Sequence, residues 1–560
     1  MDSCLLRARL AQSSDGGFFD GFVALVVCYR WASPDPSRAF LNGPRCACFV
    51  SARRTHRRSC YHACVRTRLP AFLNALLAGL ILMGSMAPTA SPPASPVLAA
   101  TPTTSTVAAG DRRDVTEPSA PDTVCATVTA RLSMPGGKAS DAGEASPPDT
   151  ARIQHALDAC AQKGTDVVAV RLSPTPDAAA FLSGPLTVRE GEVLLVDAGV
   201  VLYASRNPAD YQVDDHPACG TISKKGGGCA PFVTLAGAHS GIESVPAADR
   251  SQGRIDGRGG STMLGAARSW WGLAAAAKGH GTQNVPRLIQ ARGVDDVVLH
   301  DVDLVDAPGF HVSYQNGDGL TVWGVRIQTP AAARNTDGID PAGAQDVTIA
   351  DSWIMDGDDG IAIKALSAPS AHISVIRDHF FGTHGISIGS ETEAGVSDVF
   401  VSDVTVSGTD AFGNVSASSA GIRIKSSPKA GGLVQQVTYR NVCVDAVKAP
   451  IQFDPNYANR TGSTVPWFTD IVIDGFRSSN SPTNAESMLK GLDEAHPLAL
   501  TMSNAVVDAR HVTVALATIS ASGVTFGGLP LAVNRPGVDV TITPGQPNAP
   551  TCTLPTYPAP

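Results

Sequence analysis

From Val297 onward the apolar positions of this chain fall into one recurring shape, apolar-x-apolar-x-x-apolar-x-apolar. It appears as VVLHDVDL from Val297 to Leu304, LTVWGVRI from Leu320 to Ile327, VTIADSWI from Val347 to Ile354, ISVIRDHF from Ile373 to Phe380 and VFVSDVTV from Val399 to Val406. Val437 to Val444 and Ile471 to Ser478 continue it after longer insertions. The starts recur every 23 to 27 residues or so, roughly a solenoid period. Period-two alternation argues for strands, and glycine or polar turns separate them. A leucine-rich repeat shares the period but needs regular leucines and an asparagine step, which are missing here. The pattern predicts an all-β fold, a right-handed parallel β-helix, in which equivalent positions of successive coils stack about 4.8 Å apart.

Upstream the pattern differs. Ala151 to Lys163 carries Ile153, Ala156, Leu157 and Cys160 at helical spacing behind Asp149-Thr150, predicting one amphipathic helix. Its predicted task is to cover the open N-terminal end of the coil stack, where unpaired strand edges invite aggregation. Thr101 to Asp122 is Thr, Ala, Pro and Asp without an apolar period, which predicts a disordered linker over 101–122. The β-helix domain is then expected to span 123–556.

The apolar stretch from Leu69 to Met86 follows Arg66 and Arg68 and precedes small residues and prolines, as in a secretory signal peptide spanning 66–100. The break is expected near Ala87 or near Ala99-Ala100. A single membrane anchor is the competing reading, but the stretch is short and carries Asn74. Residues 1–65 are an anomalous extension ahead of such a leader, and one reading starts translation near Val65. The expected product is secreted and extracellular, a monomer without stable membrane association after processing.

Composition narrows the function. The 12 cysteines divide into six before the apolar stretch and six after it, and an even set in an oxidising compartment should pair. Proximity in sequence pairs Cys125 with Cys160, Cys219 with Cys229 and Cys443 with Cys552. A net charge of −8 argues against nucleic-acid binding. With 54 glycines, 40 prolines and 6% aromatics, the chain favours short strands and turns over long helices.

Candidate chemistry lies in glycine-bounded clusters between the repeats: Asn335-Thr336-Asp337-Gly338, Gly357-Asp358-Asp359-Gly360, Gly382-Thr383-His384-Gly385-Ile386-Ser387-Ile388-Gly389-Ser390, and Arg423-Ile424-Lys425. On stacked coils, residues some 25 apart in sequence become near neighbours. Adjacent strand residues point to opposite faces, so Asp358 and Asp359 share a site only where the backbone bends, and Gly357 and Gly360 permit that. Carboxylates in one cleft repel, which raises at least one pKa and supplies an acid beside a base, the division that glycoside hydrolysis needs. Taken singly, each cluster has a plainer reading. Asp-Gly marks turns, and Asp356 to Gly360 resembles a calcium loop, although the spaced ligand set ending in Glu is missing. A lone histidine, or Arg423 with Lys425, fits a solvated surface. At matching repeat positions these plainer readings do not account for all four together.

These motifs, in this order, resemble the polygalacturonases of glycoside hydrolase family 28 from about Val124 to Phe526, a stretch that includes Gly253-Arg254-Ile255-Asp256-Gly257-Arg258-Gly259. Pro308-Gly309-Phe310-His311-Val312 and Pro450-Ile451-Gln452-Phe453-Asp454 are most similar to the bacterial endo-acting members. The resemblance implies inverting hydrolysis of α-1,4-galacturonosyl bonds in polygalacturonate or pectin, with no metal or cofactor. It implies Asp358 as general acid, Asp337 and Asp359 holding and deprotonating water, and His384 supporting the acid. Arg423, Lys425 and Tyr457 are implied to bind substrate. Two departures stand out: Gly360 replaces a larger side chain found in many members, and Gly382-Thr383-His384 is one glycine shorter than the common pattern.

Three other readings remain open at this level. They are an exo-acting enzyme or one acting on decorated pectin, a pectate lyase-like eliminase, and a non-catalytic polysaccharide-binding β-helix adhesin. Asp340, before Pro341, is expected to be structural, and the insertion from Asp410 to Ala420 is expected to shape one end of the cleft.

Overall fold

The computed structural model describes residues 110–161, 166–531 and 537–558. The extension and leader at 1–65 and 66–100, their six cysteines, and the 101–109 part of the linker lie outside the described residues. Within them the chain is a parallel β-helix. One coil runs Gln345–Ala350, Trp353–Met355 and Ile361–Ile363, and the next runs Ser370–Ile376, His379–Phe381 and Ile386–Ile388. Each strand pairs in parallel with its counterpart one coil on.

Register explains the sequence pattern. Val297, Leu320, Val347, Ile373, Val399, Val437 and Ile471 stack in one file, and every one is buried. Ile339, Ile361, Ile386, Ile422 and Ile451 make a second buried file under a separate parallel sheet. Burying one such side chain contributes about 1.5–3 kcal/mol, so repetition supplies the core. The doubled x-x of the repeat is a corner: Asp301, Gly324, Asp351, Arg377, Asp403 and Asn441 all take positive φ there. A left-handed residue between two strands turns the chain sharply, which suits Gly, Asp and Asn.

The predicted helix forms over Thr150–Cys160, with Ile153, Leu157 and Cys160 buried in the main core. Asp149 stands at its N-cap position, but its carboxylate accepts from the Leu182 backbone N at 2.9 Å instead of capping the helix. Gly184 N donates to Thr150 Oγ1 at 2.7 Å, tying the first helical turn to the same strand end. Leu157→Ala should lower unfolding stability by about 2–4 kcal/mol, read by denaturant melts, since a cavity opens at a fully buried position. Two shorter helices, Asp141–Ala145 and Trp270–Ala277, join it. The second is apolar all round, so periodicity does not reveal it.

The disordered linker is corrected for 110–122. Asp111 is buried, donating its backbone N to Ser374 Oγ at 3.0 Å and accepting from Thr348 Oγ1 at 2.7 Å. Arg112 pairs with Asp346, and Val115 packs on Trp323, Ala350 and Ile376. A polar strap lacks a period of its own because its partners are already arrayed on the coils. The domain boundary at 556 is also too early: Tyr557 is buried against Met355 and Phe381, and its hydroxyl donates to Ile327 O at 2.9 Å. Cys125–Cys160, Cys219–Cys229 and Cys443–Cys552 are disulfide-bonded, as proximity predicted.

Candidate active site

The site lies on the sheet formed by Val312–Gln315, Ile339–Ala342, Ile361–Ile363, Ile386–Ile388, Ala420–Lys425 and Ala449–Asp454. While its isoleucines face the core, the alternate file continues through Ser387, Arg423 and Gln452, which are register partners. Arg423 and Gln452 of that file, with the loops entering these strands, line a cleft of about 660 Å³. All seven residues singled out from sequence line it: Asp337, Asp358, Asp359, His384, Arg423, Lys425 and Tyr457.

The Asp-Asp turn is built from its neighbours. Thr336 Oγ1 accepts from Gly357 N at 2.9 Å, and Asp356 Oδ1 accepts from Asp358 N at 2.9 Å. A Cβ on Gly357 would lie 2.0 Å from Ala333 O, so only glycine allows this approach of the two coils. Asp358 Oδ1 then meets His384 Nδ1 at 3.0 Å, and Asp358 Oδ2 accepts from Asn335 Nδ2 at 3.2 Å. Gln283 holds Asn335 in turn, its Nε2 donating to Asn335 Oδ1 at 2.9 Å.

Asp359 faces the other way. It accepts from Ser387 Oγ at 2.9 Å, Arg423 Nη1 at 3.0 Å and Lys425 Nζ at 2.5 Å. Desolvation opposes its charge, but Lys425 and Arg423 outweigh that and hold its carboxyl well below the usual carboxylate range. Asp337 goes the opposite way: burial first, then Asp340 and Asp358, pushes its carboxyl well above that range. Its Oδ1 is buried without a hydrogen-bond partner. The cleft therefore separates an obligate carboxylate from a proton-avid one.

Both departures from the family pattern have a local account. At Gly360 a Cβ would lie 2.6 Å from Phe380 Cδ1, so that ring takes the room a larger side chain would need. The shorter turn before His384 still delivers the imidazole to Asp358, because His384 N also donates to Asp358 O at 2.6 Å. Tyr457 lies over both cations, 5.8 Å from Arg423 Cζ and 5.2 Å from Lys425 Nζ, a cation–π arrangement.

Lys364 is the participant that reading the sequence missed. Its ammonium pairs with Asp340 and lies 3.5 Å from Asp337 Oδ2 and 4.7 Å from the Phe310 ring centre. Burial opposes the charge, but Asp340 and Asp337 together raise its pKa. A signal was present: Ile361-Ala-Ile-Lys364 repeats Ile422-Arg-Ile-Lys425, and register places Ile363, Ile388 and Ile424 in one file. Asp340 is an ion-pair partner at the cleft floor, a more definite role than a turn residue before proline. His311, whose pKa burial lowers to about 4, is neutral and spans Asp337 O at 3.1 Å and Thr329 Oγ1 at 2.9 Å, fixing the Asp337 turn. Lys448, Arg460 and Arg334 add positive charge along the cleft, and Ala417 to Ser419 of the insertion form part of its wall.

Ligand atoms of Asp358, Asp359 and His384 lie within 4.8 Å of one another. A cation bound there would face Arg423 and Lys425, which already neutralise both Asp359 oxygens, so these three are poorly suited to hold one.

The chain matches the family model described as Glycosyl hydrolases family 28 over residues 241–523. It is 40% identical over 400 residues to an endo-polygalacturonase of Pectobacterium parmentieri, covering 71% of this chain and 89% of that one. It is 35% identical over 439 residues to a polygalacturonase of Ralstonia solanacearum, covering 70% and 80%. The solved structure of a polygalacturonase from Erwinia carotovora ssp. carotovora superposes with a TM-score of 0.63 at 36% identity, covering 77% of this chain and 100% of that one. With its parallel coils and acidic cleft, the chain belongs to glycosyl hydrolases family 28 and is a glycoside hydrolase.

Proposed function

We propose that the cleft hydrolyses α-1,4-galacturonosyl bonds of polygalacturonate, with inversion and at internal positions. The observation that carries the reading is the convergence of three carboxylates with His384, Arg423 and Lys425 in one cleft. Inverting hydrolysis needs one carboxyl to protonate the leaving oxygen and another to take a proton from water. Asp358, held between His384 and Asn335 at the cleft surface, is the proton donor. Asp337, which lines the same cleft with its Oδ1 free of any hydrogen-bond partner, takes the proton from water in its ionised form. Asp359, kept ionised by Arg423 and Lys425, holds that water by accepting a hydrogen bond from it.

An acidic polymer meets an acidic protein here through local cations. Asp359 engages one guanidinium nitrogen of Arg423 and one proton of Lys425, and the donors left over suit a galacturonate carboxylate beneath Tyr457. Lys448 and Arg460 extend that field along the groove. The family assignment sets aside the eliminase and adhesin readings. We further read the coils as right-handed, the usual sense for parallel crossovers, the Thr150–Cys160 helix as the cover of the N-terminal coil, and the protein as a secreted monomer.

Time-resolved product analysis on polygalacturonate tests the mode of attack. Internal cleavage releases mixed oligomers from the first minutes, with a steep fall in viscosity. Release of monomer or dimer alone, from the start, would establish attack at chain ends instead.

A further inference from the structure

Far from the catalytic cleft, where the strap 110–122 crosses the stacked coils, a second cluster of side chains converges. His300 ends the strand Val297–His300 and is the register partner of Glu243, which ends Gly241–Glu243 on the preceding coil. Asp301, the next residue, occupies the positive-φ corner. Glu117 reaches the same point from the strap. His300 is only 6% exposed and Glu243 only 3%, yet both imidazole nitrogens and Glu243 Oε2 are buried without a hydrogen-bond partner. Ion-pair contacts of 3.4–3.9 Å to carboxylates are what these buried groups have in place of hydrogen bonds, which leaves them short of close partners.

The spacing suits a metal ion between them. His300 Nε2 lies 3.4 Å from Asp301 Oδ2 and 3.9 Å from Glu117 Oε1. In a tetrahedral site with bonds of about 2.0–2.1 Å, ligand atoms stand about 3.3 Å apart. The other ring nitrogen, Nδ1, faces Glu243 Oε2 at 3.6 Å, the carboxylate–histidine arrangement that fixes the tautomer of a metal-bound imidazole. Asp301 is oriented as well: Gln252 Nε2 donates to its Oδ1 at 3.3 Å, leaving Oδ2 turned to the histidine. Glu117 is exposed on the strap, with 65% of its side chain accessible, so the site opens to solvent on that side.

We propose that Glu117, His300 and Asp301 form a divalent transition-metal site of the zinc type, with Glu243 as the partner of His300 Nδ1 and solvent completing the coordination. The bound ion clamps the strap to the coils and takes no part in hydrolysis, because none of these residues lines the catalytic cleft.

The test uses the full secreted chain, stripped with chelator and titrated with cobalt(II) and then zinc. The expected result is one equivalent of cobalt with a visible d–d spectrum of tetrahedral type, displaced by zinc. Zinc should slow proteolytic cutting within 110–122 while hydrolysis of polygalacturonate stays unchanged. Glu117→Gln, at an exposed strap position that does not threaten folding, should weaken zinc binding about 10-fold or more and abolish the protection. Asp301→Asn should do the same, and His300→Gln should remove the spectrum. Absence of stoichiometric binding, or binding unaffected by Glu117→Gln and Asp301→Asn, would overturn the site. Binding that survives these changes and disappears in His384→Asn would place the ion in the catalytic cleft and overturn it equally.

Discussion

Asp358→Asn is expected to lower kcat by about 10²- to 10⁴-fold while leaving KM within a few-fold of the native value. The substitution preserves shape and removes the transferable proton. It also disturbs a specific contact, since Asp358 Oδ2 accepts from Asn335 Nδ2 and Oδ1 faces His384 Nδ1. The amide oxygen can keep the Asn335 contact while its NH2 faces His384 Nδ1, so the imidazole must present its acceptor nitrogen there or lose the bond. At a half-buried position that costs a modest amount of stability and leaves the fold in place, which thermal melts should confirm. Reducing-sugar release by the purified variant is the readout. Near-native turnover would remove Asp358 from the role of proton donor.

The double change Arg423→Met, Lys425→Met should act on both binding and folding. Asp359 is 2% exposed, and these two side chains are its positive partners among the described residues. Removing both leaves an uncompensated buried carboxylate, a loss of about 3–5 kcal/mol at neutral pH. The sign of the pH dependence gives a sharper test. In the native protein the Asp359 carboxyl lies below its ordinary value, so its contribution is present above the unfolded pKa of about 3.9 and is lost as pH falls through the folded value. In the double variant burial is no longer outweighed, the folded pKa rises above the unfolded one, and that contribution is present in acid and lost as pH rises. Asp337 has the latter sign in both proteins, so it does not produce the acid-side closing of the difference between their melting curves. Melting from roughly pH 3 to pH 7 should show the native-minus-variant gap closing toward acid. KM on polygalacturonate should rise at the same time. A gap independent of pH, together with an unchanged KM, would separate both cations from Asp359 and from substrate.

The coil architecture could be read directly from the alternation, because a stacked strand must bury the same positions in every turn and each repeat therefore restates the pattern. Two of the disulfide pairs and the three cleft aspartates were legible for a related reason, since they lie close in sequence or in successive repeats, whereas Cys443–Cys552 spans 109 residues. The apolar helix Trp270–Ala277 and the strap at 110–122 were not, since one has no polar face and the other has partners two hundred residues away.

Within the cleft, residue identities and their order along the chain were enough to nominate seven side chains, and all seven line it. Their electrostatic roles were not in the order. Asp337 and Asp359 are the same amino acid with opposite shifts, because one lies beside Asp340 in a dry turn and the other beneath Lys425 and Arg423. Lys364 entered the site only when register aligned its strand with that of Lys425. Local patterning is a short-range property carried by each repeat, so sequence specifies it. Charge state depends on burial and on neighbours delivered from other coils, which exist only once the coils have stacked.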